Sequence, residues 1–201
     1  CSSDLMNQLP VLLQFALRGE AGSTMPVEQR QKWSGDGTIS NSEKLPVSNN
    51  IQLPRPALVT AANRLGFVDV VEPFSPQNIP MIGLHDGEIV KSLILQLLEI
   101  EYGEARLNGD KLELAGREFR VDRKGRIRCD IDRHAIIHQE TITGLLSGDA
   151  SAETFANRTV VVGYVGADSP MFETGFFETI PAHELFFTRL ICLEQQILTP
   201  R

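Results

Sequence analysis

The segment 105–131, ARLNGDKLELAGREFRVDRKGRIRCDI, constrains the fold most tightly, because apolar and polar residues alternate along it. Period-two alternation places every second side chain on the same face of a strand. Three dipeptides ending in glycine interrupt the segment and are typical of tight turns: Asn108-Gly109, Ala115-Gly116 and Lys124-Gly125. The pattern therefore predicts antiparallel hairpins that turn one face to the core and the other to water.

Apolar patterns of other kinds flank this segment. They predict helices over residues 56–65, 89–101, 141–146 and 181–198. They predict strands over residues 10–17, 67–71, 79–84 and 160–165, with a turn at Asp86-Gly87. The last strand contains three consecutive valines, which predicts burial on both faces, as at the centre of a helix-covered sheet. The predicted fold is mixed α/β (α+β): a central mixed sheet with parallel core strands covered by helices, plus antiparallel hairpins.

The chain length of 201 residues suits one domain, so residues 1–201 are predicted to form a single unit. Residues 19–56 are poor in large apolar side chains and rich in Gly, Ser, Asn and Pro, which predicts a long polar loop. This loop contains the only tryptophan, Trp33. Loops of this length within a compact domain are often functional.

The charge balance argues against several classes of partner. The formal net charge is −7 and the sequence pI is about 5.1, and an acidic surface repels phosphate backbones, so no nucleic-acid partner is expected. No apolar run reaches the roughly 18 residues of a membrane span. The chain also lacks an initiator Met and a signal-peptide pattern, so we expect a fragment or a processed product.

The three cysteines, Cys1, Cys129 and Cys192, are odd in number and far apart. Their spacing fits neither a metal site nor a disulfide framework. We therefore expect Cys129 and Cys192 to be small buried apolar residues. Cys1 is either the boundary of a fragment or the lipid-carrying first residue of a bacterial lipoprotein.

The stretch NRTVVVGYVGADSP, residues 157–170, predicts a loop directly after a buried strand. Open α/β sheets bind ligands beyond the ends of their strands, and glycine permits close backbone approach. The candidate ligand-binding residues are Gly163, Gly166, Asp168 and Ser169, together with Glu184 at the start of the final helix. In the alternative interpretation, the glycines only permit a turn.

The motifs of common enzymes fail at this loop. It has no serine in a G-x-S-x-G elbow, no G-x-G-x-x-G fingerprint and no phosphate-binding lysine. Neither catalytic residues nor a cofactor are expected. A hydrolase or transferase that uses the loop 163–169 with His183 and Glu184 stays as an alternative.

No metal site is predicted. His134 and His138 have the spacing of a zinc pair on a helix, but HAIIH lacks the glutamate of the zincin motif. A solvated or locally bonded histidine pair explains them better. Glu178, His183 and Glu184 could form an acid/base or metal group, although a glutamate in the first turn also complements the helix dipole.

Five segments occur in an order known from one family: NRLGFVDVVEP, IPMIGLHDGEIVKSLILQLLEI, FRVDRKGRIRCDI, TITGLLSGDASAETFANRTVVVGYVGA and IPAHELFFTRL. Over residues 55–198 the chain resembles the type-two CHASE domain, a sensor domain of bacterial adenylate cyclases, histidine kinases and diguanylate cyclases. The family's first strands are absent, so the N-terminal part of such a domain is missing. Ala182 stands where the family has glycine, and Phe186 and Thr188 replace its histidine and asparagine.

The resemblance implies an extracytoplasmic, periplasmic sensory domain of a transmembrane bacterial signalling protein. Its signal would be an unknown small molecule or protein, relayed through the final helix to a cytoplasmic cyclase or kinase output. An apolar stripe on that helix belongs to the core or supports a homodimer: Leu185, Phe186, Leu190, Leu193 and Ile197. The alternative is a periplasmic lipoprotein docking module anchored at Cys1.

Overall fold

The fold is described from a computed structural model. The structure describes residues 12–18, 31–35, 37–38, 45, 47–48, 50–68, 75–131, 140–149, 151–155, 160, 162, 171–173 and 179–199. Helices and short strands alternate along these residues, which confirms the mixed α+β class.

The helices are α1 Pro56–Ala61, α2 Leu93–Tyr102, α3 Ile142–Ser147 and α4 Ala182–Leu198, and a 3₁₀ turn spans Ala152–Phe155. The first strands are β1 Leu12–Arg18, β2 Gly37–Thr38, β3 Val47–Ser48, β4 Asn50–Gln52, β5 Arg64–Phe67, β6 Asn78–Pro80 and β7 Ile82–His85. The remaining strands are β8 Glu88–Lys91, β9 Arg106–Asn108, β10 Lys111–Leu114, β11 Arg117–Arg120, β12 Arg126–Arg128, β13 Met171–Glu173 and β14 Thr179–Pro181.

Within the described ranges, the strands form five small sheets: β4-β1-β5, β11-β10-β9-β2, β12-β6, β13-β14 and β3-β7-β8. The central sheet with a parallel core that the sequence predicts does not appear among these residues. Among the described strands, β1 pairs in parallel with β5, β2 with β9 and β3 with β7, and one isolated parallel bridge joins Phe67 to Ser92. Tight turns join β7 to β8, β9 to β10 and β10 to β11, and tight turns produce antiparallel neighbours.

The hairpins between 105 and 131 are confirmed. In β10, Leu112 and Leu114 are buried while Lys111 and Glu113 are exposed, as the alternation predicts. The turns take the left-handed backbone at Gly109, Ala115, Gly116 and Gly125, with φ of 66°, 52°, 70° and 72°.

The predicted helix over 89–101 is wrong in its first turn. Residues 88–91 form β8, which pairs with β7 through the predicted Asp86-Gly87 turn. Helix α2 begins only after Ser92, whose Oγ accepts a hydrogen bond from Leu95 N at 3.2 Å. It ends at Gly103, as predicted.

Three other boundaries differ from the predictions. Helix α1 ends at Ala61, because the chain turns extended at Ala62 and enters β5 beside β1. Strand β5 therefore starts before the predicted strand at 67, whose end, 69–71, lies outside the described residues. The predicted strand 79–84 is divided at Met81, since the N–H groups of Met81 and Ile82 both donate to Gly125 O, at 2.9 and 3.1 Å.

Two of the later elements are confirmed. Helix α3 has Thr141 as its N-cap and ends at Gly148, and α4 follows Pro181. The predicted buried strand over 160–165 is contradicted at the two residues that the structure describes. Val160 and Val162 lie outside any strand and are 50% and 75% exposed, so they do not belong to a sheet centre.

Among the residues that the structure describes, the buried apolar side chains form two clusters. The larger packs α2 and α4 against β9 to β12, and the smaller surrounds Trp33, Ile51, Leu65 and Phe67. Trp33 is only 3% exposed, so the segment predicted as a polar loop contributes to the core. It also contains the three short strands β2, β3 and β4.

Candidate functional site

Most of the predicted ligand site falls outside the part of the chain that the structure describes, namely Gly163, Gly166, Asp168 and Ser169. Glu184 lies half-buried in the first turn of α4, where a carboxylate complements the helix dipole. Its backbone oxygen accepts a hydrogen bond from Thr188 Oγ1 at 2.7 Å.

The two predicted groups that contain histidine are also only partly within the described residues. His134, His138 and Glu178 lie outside the described residues, as does Cys1. His183 is half-buried beside Glu184 at the start of α4. Among the residues that the structure describes, no group of three or more His, Cys, Asp or Glu could hold a metal ion.

Cys129 and Cys192 form a disulfide, which corrects the prediction that both are free buried residues. Cys129 directly follows β12, and Cys192 lies in the middle of α4. Their Cα atoms are 6.3 Å apart, and 63 positions separate them in sequence. The side chains are 1% and 4% exposed. The pairing depends on how α4 packs against the sheet, and cysteine spacing carries no information on that contact.

Each sulfur atom of the disulfide has a polar group beside it. Gln196, one turn after Cys192 on α4, donates a hydrogen bond from Nε2 to Cys129 Sγ at 3.1 Å. The backbone oxygen of Asp130 lies 3.1 Å from Cys192 Sγ. The disulfide therefore belongs to the larger apolar core cluster and has a polar contact at each sulfur.

A solvent-open cleft of about 400 Å³ adjoins the disulfide. It runs between β11 and the second half of α4, and Cys192 contributes to its wall. Its polar lining includes Arg117, Glu118, Asp130 and Gln196.

Arg117 joins β11 to the end of α4 at the rim of this cleft. Its Nε donates to Ile197 O at 3.1 Å, and its Nη2 donates to Thr199 O. The last carbonyl groups of a helix have no partner within the helix and carry partial negative charge, so a guanidinium stabilises them.

Arg189 fixes α4 one turn before the disulfide. The side chain is buried and donates to three backbone oxygens, those of Ser75, Pro76 and Asn78, at 3.0, 3.0 and 3.2 Å. Burial lowers the pKa of Arg189 to about 10. Because this value is still well above 7, the guanidinium stays charged at neutral pH.

Acidic groups meet where α4 passes α2. Burial raises the pKa of Glu194 above its ordinary value, and the nearby Glu101 adds to this effect. The pKa of Tyr102 is raised for the same reasons, burial first and then the charges of Glu194 and Glu101.

A second buried charge cluster lies at α2. The fully buried Glu99 carboxylate accepts hydrogen bonds from Lys91 at 2.8 and 3.0 Å, from Arg64 at 3.0 Å and from Ala105 N at 3.0 Å. Gln96 Nε2 donates to Leu65 O at 3.3 Å. These contacts join α2, β5 and β8, so the cluster has a structural role. The sequence signal for this cluster is that Gln96 and Glu99 lie among the apolar residues of α2.

The D-x-x-G-R segment, on which the family resemblance partly rests, forms a turn. Asp122 Oδ1 accepts from the backbone N–H groups of Lys124 and Arg126, at 2.8 and 3.0 Å. Its Oδ2 pairs with the Arg126 guanidinium at 2.7 Å. The motif residues thus stabilise the hairpin between β11 and β12.

None of the helices in the described part of the chain is long and apolar enough to cross a membrane. Comparison of this chain with protein-family models, with curated proteins and with solved structures finds no match.

Proposed function

We propose that this chain is an extracytoplasmic, periplasmic sensory domain of a membrane-bound bacterial signalling protein. The observation that carries the proposal is the buried disulfide between Cys129 and Cys192. Disulfides form and persist in oxidising compartments and are rare in the reducing cytosol. The ordered resemblance to the type-two CHASE domain adds support, and it supplies the sensory role.

The long helix α4 is the element through which such a domain would relay its signal. Three attachments hold it along its length: Arg189 to the segment 75–78, Cys192 to Cys129, and Arg117 to the last carbonyl groups. A ligand passes a signal only if it binds two arrangements of the domain with different affinity. A shift of α4 against these attachments would provide the two arrangements.

The net charge bears on the signal that the domain would bind, and the burial of the α4 side chains bears on a homodimer. The net charge of −7 favours a small molecule or a protein over nucleic acid as the signal. The apolar stripe proposed for a homodimer is largely used within the chain, because Leu185, Leu190, Leu193 and Ile197 are buried. A homodimer through α4 would therefore use side chains outside this stripe, such as the exposed Leu198.

The test determines, in one experiment, the cellular location of the native gene product and the oxidation state of its cysteine pair. Cells are treated with a thiol-blocking reagent, fractionated and probed with an antibody against this domain. We expect an integral-membrane species, larger than this chain, with Cys129 and Cys192 oxidised. A variant with both cysteines changed to Ala is the control for assigning the disulfide.

Two outcomes would contradict the proposal. A cytosolic product with both thiols reduced would remove the domain from the compartment that we propose. A lipid-modified species of about this size would indicate the docking lipoprotein anchored at Cys1, which has no output domain to regulate.

A further inference from the structure

We infer that the Cys129–Cys192 disulfide is a thiol–disulfide exchange site, whose reductant is a thiol that enters the adjoining cleft. The chemistry does not depend on the proposed sensory function, whereas its use as a signal through α4 rests on that function.

The cleft selects which sulfur is attacked. Cys192 contributes to the cleft wall and is 4% exposed, against 1% for Cys129. In the proposed exchange, a thiolate in the cleft therefore attacks the sulfur of Cys192, the cysteine that lines it. The cleft volume of about 400 Å³ accommodates a thiol the size of a short peptide.

The first step is attack by the incoming thiolate on Cys192 Sγ. A new disulfide forms between the two sulfurs, the Cys129–Cys192 bond breaks, and Cys129 leaves as a thiolate. Gln196 Nε2 already donates to Cys129 Sγ at 3.1 Å. Because hydrogen bonds to charged acceptors are stronger than those to neutral ones, this bond strengthens as negative charge develops on the leaving sulfur.

The second step completes the reduction. A second thiolate attacks the reductant's sulfur in the mixed disulfide, forms the disulfide of the two reductant thiols and releases Cys192 as a thiolate. Cys192 and the earlier leaving group Cys129 each take a proton from water. The Cys192 thiol then has an acceptor, since Asp130 O lies 3.1 Å from its sulfur. Both sulfurs thus have a polar partner in the reduced state, Gln196 for Cys129 and Asp130 O for Cys192.

The test measures reduction of the oxidised, purified chain by reduced glutathione, at urea concentrations below the unfolding transition. Acid-quenched samples are alkylated and mapped by mass spectrometry. Exchange through the cleft gives a rate that is nearly independent of urea, and a glutathione adduct on Cys192. Reduction only through global unfolding gives a rate that rises steeply with urea. That result, or an adduct on Cys129, would overturn the inference.

A matched pair of variants tests the leaving-group contact. Gln196→Leu removes the donor to Cys129, and we expect exchange to slow by about tenfold, the value of a hydrogen bond to a charged group. Gln52→Leu makes the same change at an exposed position of β4 outside the cleft, and the rate should stay within about twofold. Equal rates in the two variants would contradict the role of Gln196.

A second arm distinguishes the source of the thiol. A reduced protein dithiol with a C-x-x-C motif replaces glutathione under the same conditions. Faster urea-independent reduction by glutathione identifies a small thiol, and faster reduction by the protein identifies an oxidoreductase. If neither reduces the native chain below the unfolding transition, the disulfide is structural and the inference fails.

Discussion

At the scale of single residues, two charged side chains of α4 have opposite effects on the stability of the fold. Arg189 is buried with its donors matched to backbone oxygens, whereas Glu194 is partly buried near another carboxylate. The first arrangement stabilises the folded chain, and the second costs stability whenever the carboxylate is charged. Both effects can be measured with conservative variants.

Glu194→Gln should raise the stability of the chain at neutral pH. The pKa of Glu194 is higher in the folded than in the unfolded state, so the folded state binds the proton more tightly. The charged carboxylate therefore destabilises the fold above the raised pKa. This penalty fades as the pH falls and is absent below the ordinary glutamate pKa of about 4.3.

The measurement is urea unfolding of wild type and variant at pH 7 and at pH 3.5 to 4. Glu104→Gln serves as the control, since Glu104 is exposed and the charge change is the same. A Glu194→Gln variant that is no more stable than the Glu104→Gln variant at pH 7 would contradict the prediction.

Arg189→Met should destabilise the chain by about 3 kcal/mol, because three backbone oxygens lose their donor. Arg123→Met removes an exposed guanidinium and should cost no more than about 0.5 kcal/mol. Unfolding free energies from denaturant titration compare the two. If the unfolding free energy falls by the same small amount in both variants, Arg189 does not hold α4 to the segment 75–78.

At the scale of elements, the turns of the hairpin region are formed by contacts between residues that are close in sequence. Asp122, Gly125 and Arg126 form one of them through contacts within five residues. Gly125 also accepts hydrogen bonds from the neighbouring strand at Met81 and Ile82. The turn is therefore both a local signal in the sequence and a point of tertiary contact.

Gly125→Ala should destabilise the chain by about 3 kcal/mol or more. Two effects add: φ is 72°, which L-residues other than glycine avoid, and a Cβ would collide with Ile82 O. Gly116→Ala separates the effects, since φ is 70° and no heavy atom lies within 4 Å of the position that its Cβ would occupy. It should cost about 1 kcal/mol.

The midpoints of urea unfolding, measured at one protein concentration, give both values. Equal losses for Gly125→Ala and Gly116→Ala would mean that the close approach of Ile82 to the turn does not hold in solution.

At the scale of the whole molecule, the disulfide constrains the unfolded chain, because it joins two residues that are 63 positions apart. Changing Cys129 and Cys192 together to Ala should lower the unfolding free energy by about 4 kcal/mol, from the entropy of closing a loop of this length. Reduced wild type should unfold at the same denaturant concentration as the variant. A variant as stable as oxidised wild type would show that the bond does not constrain the unfolded chain.

The sequence predicted what is determined within a few residues and missed what depends on contact between distant residues. Turn residues, caps and periodicity predict the hairpins, the region from Ser92 to Gly103 and α4. Ile89 and Val90 fit the patterns of both helix and strand, and they lie in strand β8 instead of the predicted helix. The burial of Trp33 in the core, the Glu99 cluster and the disulfide require neighbours that lie far away in sequence. The valines at 160 and 162 form an apolar run whose exposure no local rule indicates.

The disulfide also makes a covalent ring of the chain from Cys129 to Cys192, with α3 inside it. A peptide bond cut anywhere in that ring leaves α4 attached to the rest of the molecule. Such a nicked molecule would migrate as one species under non-reducing conditions and as two fragments once a reductant opens the ring. Proteolytic damage within this stretch would therefore be silent until the cysteines are reduced.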